Sequence, residues 1–249
     1  MAICLMYHNI IPSEAERGRF FEQHRPYAVT RRRFEGHIAA GREAGWRFLS
    51  PDELFTDRVK EKKALLLTFD DPWDNRQAEE VLAAEGISGV FFLNSGLIGR
   101  PLMMGEDDVR RMSAAGMEIG SHGVTHDFFS SLSTDELRRA LFDSKAALER
   151  LTGREVRFLS APGGRYDRRT VRLSREAGYR AFFVSRPGYL PDGRGRFVLN
   201  RISITADITG KRFSRFLAGP ARHIAWHAAR YQYARMLRPF TRKSVRQPT

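Results

Sequence analysis

From residue 65 to residue 71 the chain reads LLLTFDD, an apolar run that ends in two adjacent carboxylates, Asp70 and Asp71. Neighbouring residues on an extended strand face opposite ways, so two acids side by side at a strand's end can take different jobs. Further along, GSHGVTH sets His122 and His126 four residues apart, and one helical turn or a tight loop would put both imidazoles on one side. Histidines so spaced can grip one transition metal. With an aspartate they make a two-nitrogen, one-oxygen set that suits zinc or a similar divalent ion and leaves positions open for water and substrate. Gly123 stands where a metalloprotease H-E-x-x-H needs its glutamate, which excludes that chemistry. Taken alone, H-x-x-x-H is more often two histidines in a polar loop, because short motifs match by chance.

The elements that must position these groups follow from hydrophobic periodicity. Short apolar runs predict strands over residues 3–7, 65–69, 90–93, 118–121, 157–159, 181–184 and 197–204. Between them, helical patterns fall at 30–44, 75–85, 106–115, 133–151 and 168–177. The fourth of these opens on a capping box, Ser133 with Glu136 three residues on. Alternating strand and helix means an α/β chain with a parallel sheet or barrel, and in such barrels reacting groups gather at the C-terminal ends of strands. Tyr7, His8, Asp70, Asp71, Ser121 and His122 stand at such ends, and Arg201 stands in the last strand.

A chain of 249 residues accommodates one large α/β domain or two small ones. With 42% hydrophobic and 29% charged residues it is a folded globular protein, not a disordered or fibrous one. Its formal net charge of +13 raises nucleic acid, an anionic membrane or an acidic glycan as partners. Cys4 is the sole cysteine, so no intrachain disulfide can form. The opening MAICLMYHNI lacks a basic stretch and a cleavage site, and no apolar run reaches the length of a membrane span, so a cytoplasmic location is expected.

Three motifs in register carry a family resemblance. TFDD at 68–71, SHGVTH at 121–126 and SAPGGRYD at 160–167 resemble, in order and spacing, the first three motifs of the polysaccharide deacetylases, carbohydrate esterase family four with the nodulation-type chitooligosaccharide deacetylase homology domain. GVFFLNSGLIG and MSAAGMEIGSH are similar to the segment leading into the family's histidine motif, and the resemblance runs from about residue 60 to about residue 205. It implies a distorted (β/α) barrel of the polysaccharide deacetylase type and metal-dependent removal of acetyl groups from N-acetylated sugars. By position, Asp70 would be the general base and Asp71, His122 and His126 the ligands of one divalent ion, zinc first, with cobalt or nickel as alternatives. Pro162 and Gly163 match the position whose backbone N–H helps hold an oxyanion. Pro162, Tyr166 and Trp73 are expected to contact substrate.

The chain departs from the family pattern at several points. Pro72 replaces the glycine after the double aspartate, and the family's tryptophan motif has no counterpart. Ser160 stands where many members have an arginine that orients the base, and Arg165 is expected to serve instead. The final motif, L-x-H, reads LNR at 199–201, and a guanidinium cannot donate a proton to a leaving amine. His8 is the candidate replacement acid, since it ends the first strand, next to the last strand of a closed barrel, and imidazole titrates near neutrality. Its alternative is a structural histidine beneath the sheet. Arg201 would then stabilise Asp70 or bind an anionic substrate group.

The segment 211–249 carries ten Lys and Arg and no Asp or Glu, which is +10 of the +13. It is read as a basic helical tail on a barrel spanning 1–210. Trp226, Ala229, Tyr233, Met236 and Leu237 would share one helix face, with His227, Arg235 and Arg238 opposite and Ile224 and Tyr231 on the polar side. Such a helix either packs on the barrel or lies on an anionic membrane surface, which would put the protein on the membrane's inner face. No nucleic-acid motif accompanies the charge. The expected activity is a metal-dependent hydrolase removing N-acetyl groups from a glycan, in surface or extracellular polysaccharide assembly. A noncatalytic glycan-binding protein on the same barrel is the alternative.

Overall fold

β1 (Ala2–Tyr7) is buried at every residue because its alternate side chains find two different cores. Ile3, Leu5 and Tyr7 pack outward against helices, while Ala2 and Cys4 pack inward with Leu66, Phe92, Phe158 and Phe183. That double burial is why the strands read as near-continuous apolar runs. The computed structural model describes residues 2–20, 22, 24–61, 63–71, 73–191 and 196–237. After β1 come β2 (Asn9–Ile11), β3 (Ala28–Thr30), α1 (Arg31–Glu43), β4 (Arg47–Phe48), β5 (Ala64–Asp70), α2 (Arg76–Ala84), β6 (Val90–Leu93), α3 (Glu106–Ala114) and β7 (Glu118–Ser121). Then follow α4 (Thr134–Thr152), β8 (Phe158–Ser160), α5 (Arg168–Glu176), β9 (Ala181–Val184), β10 (Val198–Asn200), β11 (Ile202–Ser203), α6 (Gly210–Ala218) and α7 (Pro220–Leu237).

The main sheet runs β10-β9-β8-β7-β6-β5-β1-β11, and every pairing along it is parallel. The strand expected over 197–204 is two strands, divided at Arg201. Its first half pairs with β9 and its second with β1, so one stretch of chain touches both edges and nearly closes the barrel. β4 pairs with the first two residues of β5, and β2 and β3 form a small parallel sheet of their own. These three are too short for a period of two to show in the sequence. The capping box on α4 is present, with Glu136 N–H donating to Ser133 Oγ and Ser133 N–H to the Glu136 carboxylate.

The C-terminal helices correct the expected boundary at residue 210. α6 buries Phe213, Phe216 and Leu217 in the same core as α1, an i, i+3, i+4 face that leaves Lys211, Arg212 and Arg215 outside. The His37 ring stacks on Phe213 at 4.5 Å, so α6 belongs to the barrel's helical layer. In α7 the expected faces are exchanged: Ile224 joins the core while Trp226 is 54% exposed. The side chains of Tyr233, Met236 and Leu237 and all of residues 238–249 lie outside the described residues, as does Pro72. Among the described residues no helix is long and apolar enough to cross a membrane.

Candidate active site

Along β5, Leu66, Thr68 and Asp70 face the barrel interior and Leu65, Leu67 and Phe69 face the helices. Strict alternation would send Asp71 out with Phe69. Instead Asp71 has φ +72°, a left-handed conformation that aspartate tolerates better than most residues, and both acids end at the barrel mouth. The expectation of two faces thus fails through one backbone angle, and both carboxylates are buried. Asp71 Oδ2 accepts a 3.4 Å hydrogen bond from Trp73 Nε1, and Asp71 Oδ1 is buried without a hydrogen-bond partner.

Oδ1 faces the two histidines, 3.3 Å from His126 Nε2 and 3.8 Å from His122 Nε2. His122 directly follows β7, and its Nδ1 donates to the Ser160 carbonyl at 3.0 Å, so Nε2 presents a lone pair to Asp71. Burial pushes His122 down to about 4, against the pull of Asp70 and Asp71, which keeps the ring neutral at working pH. The loop is held by Asn94, which donates to the carbonyls of His122 and Thr125, and by Ser144 of α4, which donates to the Gly123 carbonyl. Gly123 has φ +82°, and a Cβ there would meet Phe129 Cε1 at 2.9 Å, so glycine is required. One donor atom from each of Asp71, His122 and His126 lies within 4.8 Å of the others. An unpartnered buried carboxylate oxygen facing two imidazole nitrogens fits a divalent cation, since that oxygen's desolvation is otherwise uncompensated.

Asp70 has a different partner. Arg201 Nη1 donates to Oδ1 at 2.5 Å and Nη2 to Oδ2 at 2.7 Å, a two-pronged pair with the guanidinium fully buried. Ser160 Oγ accepts from Arg201 Nη2 at 2.6 Å and donates to Asp70 Oδ2 at 3.2 Å. Burial would raise the Asp70 pKa, but the charge of Arg201, with His122 behind it, holds the carboxyl well below the usual carboxylate range. The arginine that orients Asp70 therefore comes from the last strand, and Arg165 lies 4.4 Å over the Phe128 ring instead. Ser160, short enough to leave room for the long Arg201 side chain, completes the exchange.

His8 reaches the same mouth from the end of β1. Asn75, buried at the start of α2, accepts from the Ile10 N–H at 2.9 Å and donates to the His8 carbonyl at 2.8 Å, tying this turn to the segment after the two acids. Asp74, the residue before it, bonds the Arg76 N–H and does not cap α2. The His8 ring lies 4.5 Å from Tyr27, and its Nδ1 is buried without a hydrogen-bond partner. Burial lowers its pKa, with Asp71 and Asp70 pulling the other way.

A cavity of about 370 Å³ is lined by His8, Asp70, Asp71, His122, His126 and Gly163. Gly163 has φ +58° and sits in a tight turn whose next two N–H groups bond back to the Ala161 and Pro162 carbonyls. Pro162 is buried in that turn. Two expected substrate contacts are corrected. Tyr166 packs edge-on against Phe182, 5.1 Å away, on the helix side of the barrel wall. Trp73 is 3% exposed, sealed by Phe20 and His24, so it orients Asp71 and offers no face to a ligand. Tyr27, Ser203 and Tyr231 also line the cavity, and none stands in a motif that spacing could expose.

A family model described as polysaccharide deacetylase matches residues 57–182. YxkH of Bacillus subtilis, named as a candidate polysaccharide deacetylase, is 26% identical over 219 residues, 86% of this chain and 75% of its own length. The peptidoglycan-N-acetylmuramic acid deacetylase PdaA of the same organism is 24% identical over 138 residues, 54% of this chain and 51% of PdaA, so the match spans about half of that relative. Among solved structures, the deacetylase PplD of Streptococcus pyogenes in complex with acetate superposes with a TM-score of 0.75 at 23% identity, covering 87% of this chain and 97% of PplD.

Proposed function

The chain belongs to the polysaccharide deacetylase family, and from that premise we propose that it hydrolyses N-acetyl groups of an amino-sugar-containing glycan. The observation that carries this reading is Asp71 Oδ1, buried, unpartnered and facing two histidine nitrogens, next to a separately held Asp70. Asp71, His122 and His126 would hold one divalent ion, zinc first, and that ion supplies a Lewis acid that acidifies water and polarises the acyl carbonyl. Asp70 stays ionised across the working range and takes a proton from the attacking water. Arg201 and Ser160 fix the plane of its carboxylate. His8 gives a proton to the leaving amine, and the Gly163 N–H faces the developing oxyanion. The setting we assign is assembly of a surface or extracellular polysaccharide, in the cytoplasm or at the membrane's inner face.

The noncatalytic alternative rests on the missing final histidine, LNR at 199–201. It loses force because Arg201 is paired with Asp70 while His8 lines the cavity. Acetate release from N-acetylated chitooligosaccharides decides between them. We expect turnover that stops with chelator, returns with zinc, and is abolished in Asp70→Asn, whose amide accepts no proton. Binding of the glycan without acetate release by zinc-loaded protein would favour the alternative.

A further inference from the structure

A second cavity, about 680 Å³, opens beside the first and shares Tyr27 and Ser203 with it as walls. Its far side is built by the C-terminal helices: Arg212 and Arg215 from α6, and His223, Trp226 and His227 from α7. His223, His227 and Tyr231 recur every four residues, so one helix face runs from this cavity to the catalytic one, where Tyr231 stands, over roughly 12 Å at 1.5 Å per residue. Three features give the cavity a chemistry. Trp226 is 54% exposed, a large apolar face beside a polar groove. Ser203 Oγ, on the shared wall, is buried without a hydrogen-bond partner. The formal charges on the lining are Arg212, Arg215 and Asp207. Arg212 pairs with Asp207 at 2.7 Å, and among the described residues no carboxylate pairs with Arg215.

We propose that this groove is a second glycan subsite, in which a sugar ring of the substrate chain stacks on Trp226 and a carboxylate on that chain is met by Arg215. The proposal rests on the deacetylase reading for its direction, since it extends the chain whose acetyl group lies at Asp70. It also gives the helices a reason to carry cations here: Arg212 and Arg215 line the cavity beside the catalytic one. Ser203 Oγ supplies a hydrogen bond at the junction, where the chain passes from one cavity to the other. A neutral glycan would use the Trp226 and Ser203 contacts, and an acidic one would add Arg215.

The test is a binding titration, independent of turnover. Of the three tryptophans, Trp46 and Trp73 are buried at 5% and 3% exposure, so fluorescence quenching by an added oligosaccharide reports Trp226. Neutral tetra-N-acetylchitotetraose and the carboxylate-bearing tetrasaccharide of hyaluronan are titrated into the full chain. Both should quench, the acidic one more tightly, and Trp226→Ala should weaken both by about tenfold when followed by calorimetry. Arg215→Gln should remove the preference for the acidic sugar, a loss of roughly threefold that raised salt mimics. If neither sugar quenches, or if Trp226→Ala leaves calorimetric affinity unchanged, the subsite is overturned. Flotation with phosphatidylglycerol vesicles runs beside it: vesicle binding lost in Trp226→Ala, with no sugar binding, would assign the face to a membrane and overturn the proposal. Sugar binding that depends on Trp226 in a protein that releases no acetate would retain the groove and remove the deacetylase reading. Acetate release with Trp226-independent binding would do the reverse.

Discussion

Arg201→Met is the most informative single perturbation of this barrel. The wild-type guanidinium is fully buried and meets both oxygens of Asp70, itself 4% exposed, so the variant leaves a desolvated carboxylate facing a thioether. Breaking a buried ion pair from one side costs about 3–5 kcal/mol at neutral pH. The pH dependence has a definite sign. In the wild type the depressed Asp70 pKa contributes stability that is present above the unfolded carboxyl value and lost as pH falls. In the variant burial is opposed only by His122, His8 and the Ser160 hydroxyl, the pKa rises above the unfolded value, and stability is lost as pH rises instead. Between pH 4 and pH 8 the gap between the two proteins should therefore be smallest at pH 4 and widen by about 1.4 kcal/mol per pH unit until Asp70 ionises in the variant. Urea unfolding of chelator-treated protein at pH 4, 6 and 8 measures it without a contribution from bound metal. Asp70→Asn with Arg201→Met should recover most of the loss, for a coupling of about 3 kcal/mol. Acetate release at pH 7 should fall by roughly a hundredfold or more, since a protonated Asp70 takes no proton. A cost below about 1 kcal/mol that does not change between pH 4 and pH 8 would refute the account of this pair.

Asp71→Ala should drop bound zinc from one equivalent to near none while the far-ultraviolet spectrum stays unchanged; full metal content by elemental analysis would sink the ligand assignment. His8→Gln should keep its zinc but lose roughly a hundredfold in kcat, and the fall in activity above the lowered pKa of His8 should flatten. An unaltered alkaline limb would mean that another group is the acid. His37, 1% exposed between the Tyr7 hydroxyl at 3.1 Å and the Ile208 carbonyl at 2.8 Å, is pushed by burial down to about 4. Because its folded pKa lies below the unfolded one, its share of stability is whole above about pH 6.5 and disappears as pH falls towards 4, about 3 kcal/mol in all. Urea midpoints of wild type and His37→Phe should converge over that window, and parallel curves would contradict the assignment.

Much of this protein is written locally. Periods of 2 and 3.6 residues mark β1, β5 to β9 and α1 to α5, because each strand and helix needs only its own neighbours in sequence to show which sides are apolar. The order of TFDD, SHGVTH and SAPGGRYD is local in the same sense, and it marks Asp70, Asp71, His122 and His126 before any coordinates. Tertiary structure decided who meets whom. A carboxylate inside a barrel needs a cation, and that need follows from the cost of desolvation, but nothing near Asp70 says which cation answers it. Arg165 was five residues from the expected position and went to Phe128; Arg201, 131 residues from Asp70, arrived because the split last strand nearly closes the ring. Asp71 turned inward through a single positive φ that strand alternation forbids. Trp73 and Tyr166 look like ligand contacts by their place in motifs, yet each found a hydrophobic neighbour and was buried or packed away. In the C-terminal helices the charge count left barrel packing and a membrane surface both open, and tertiary structure shows that Phe213, Phe216 and Ile224 dock the helices on the barrel and leave Trp226 beside the second cavity. Sequence periodicity records which side of an element is apolar; only closure of the barrel determines what that side, and the charged groups at its rim, will face.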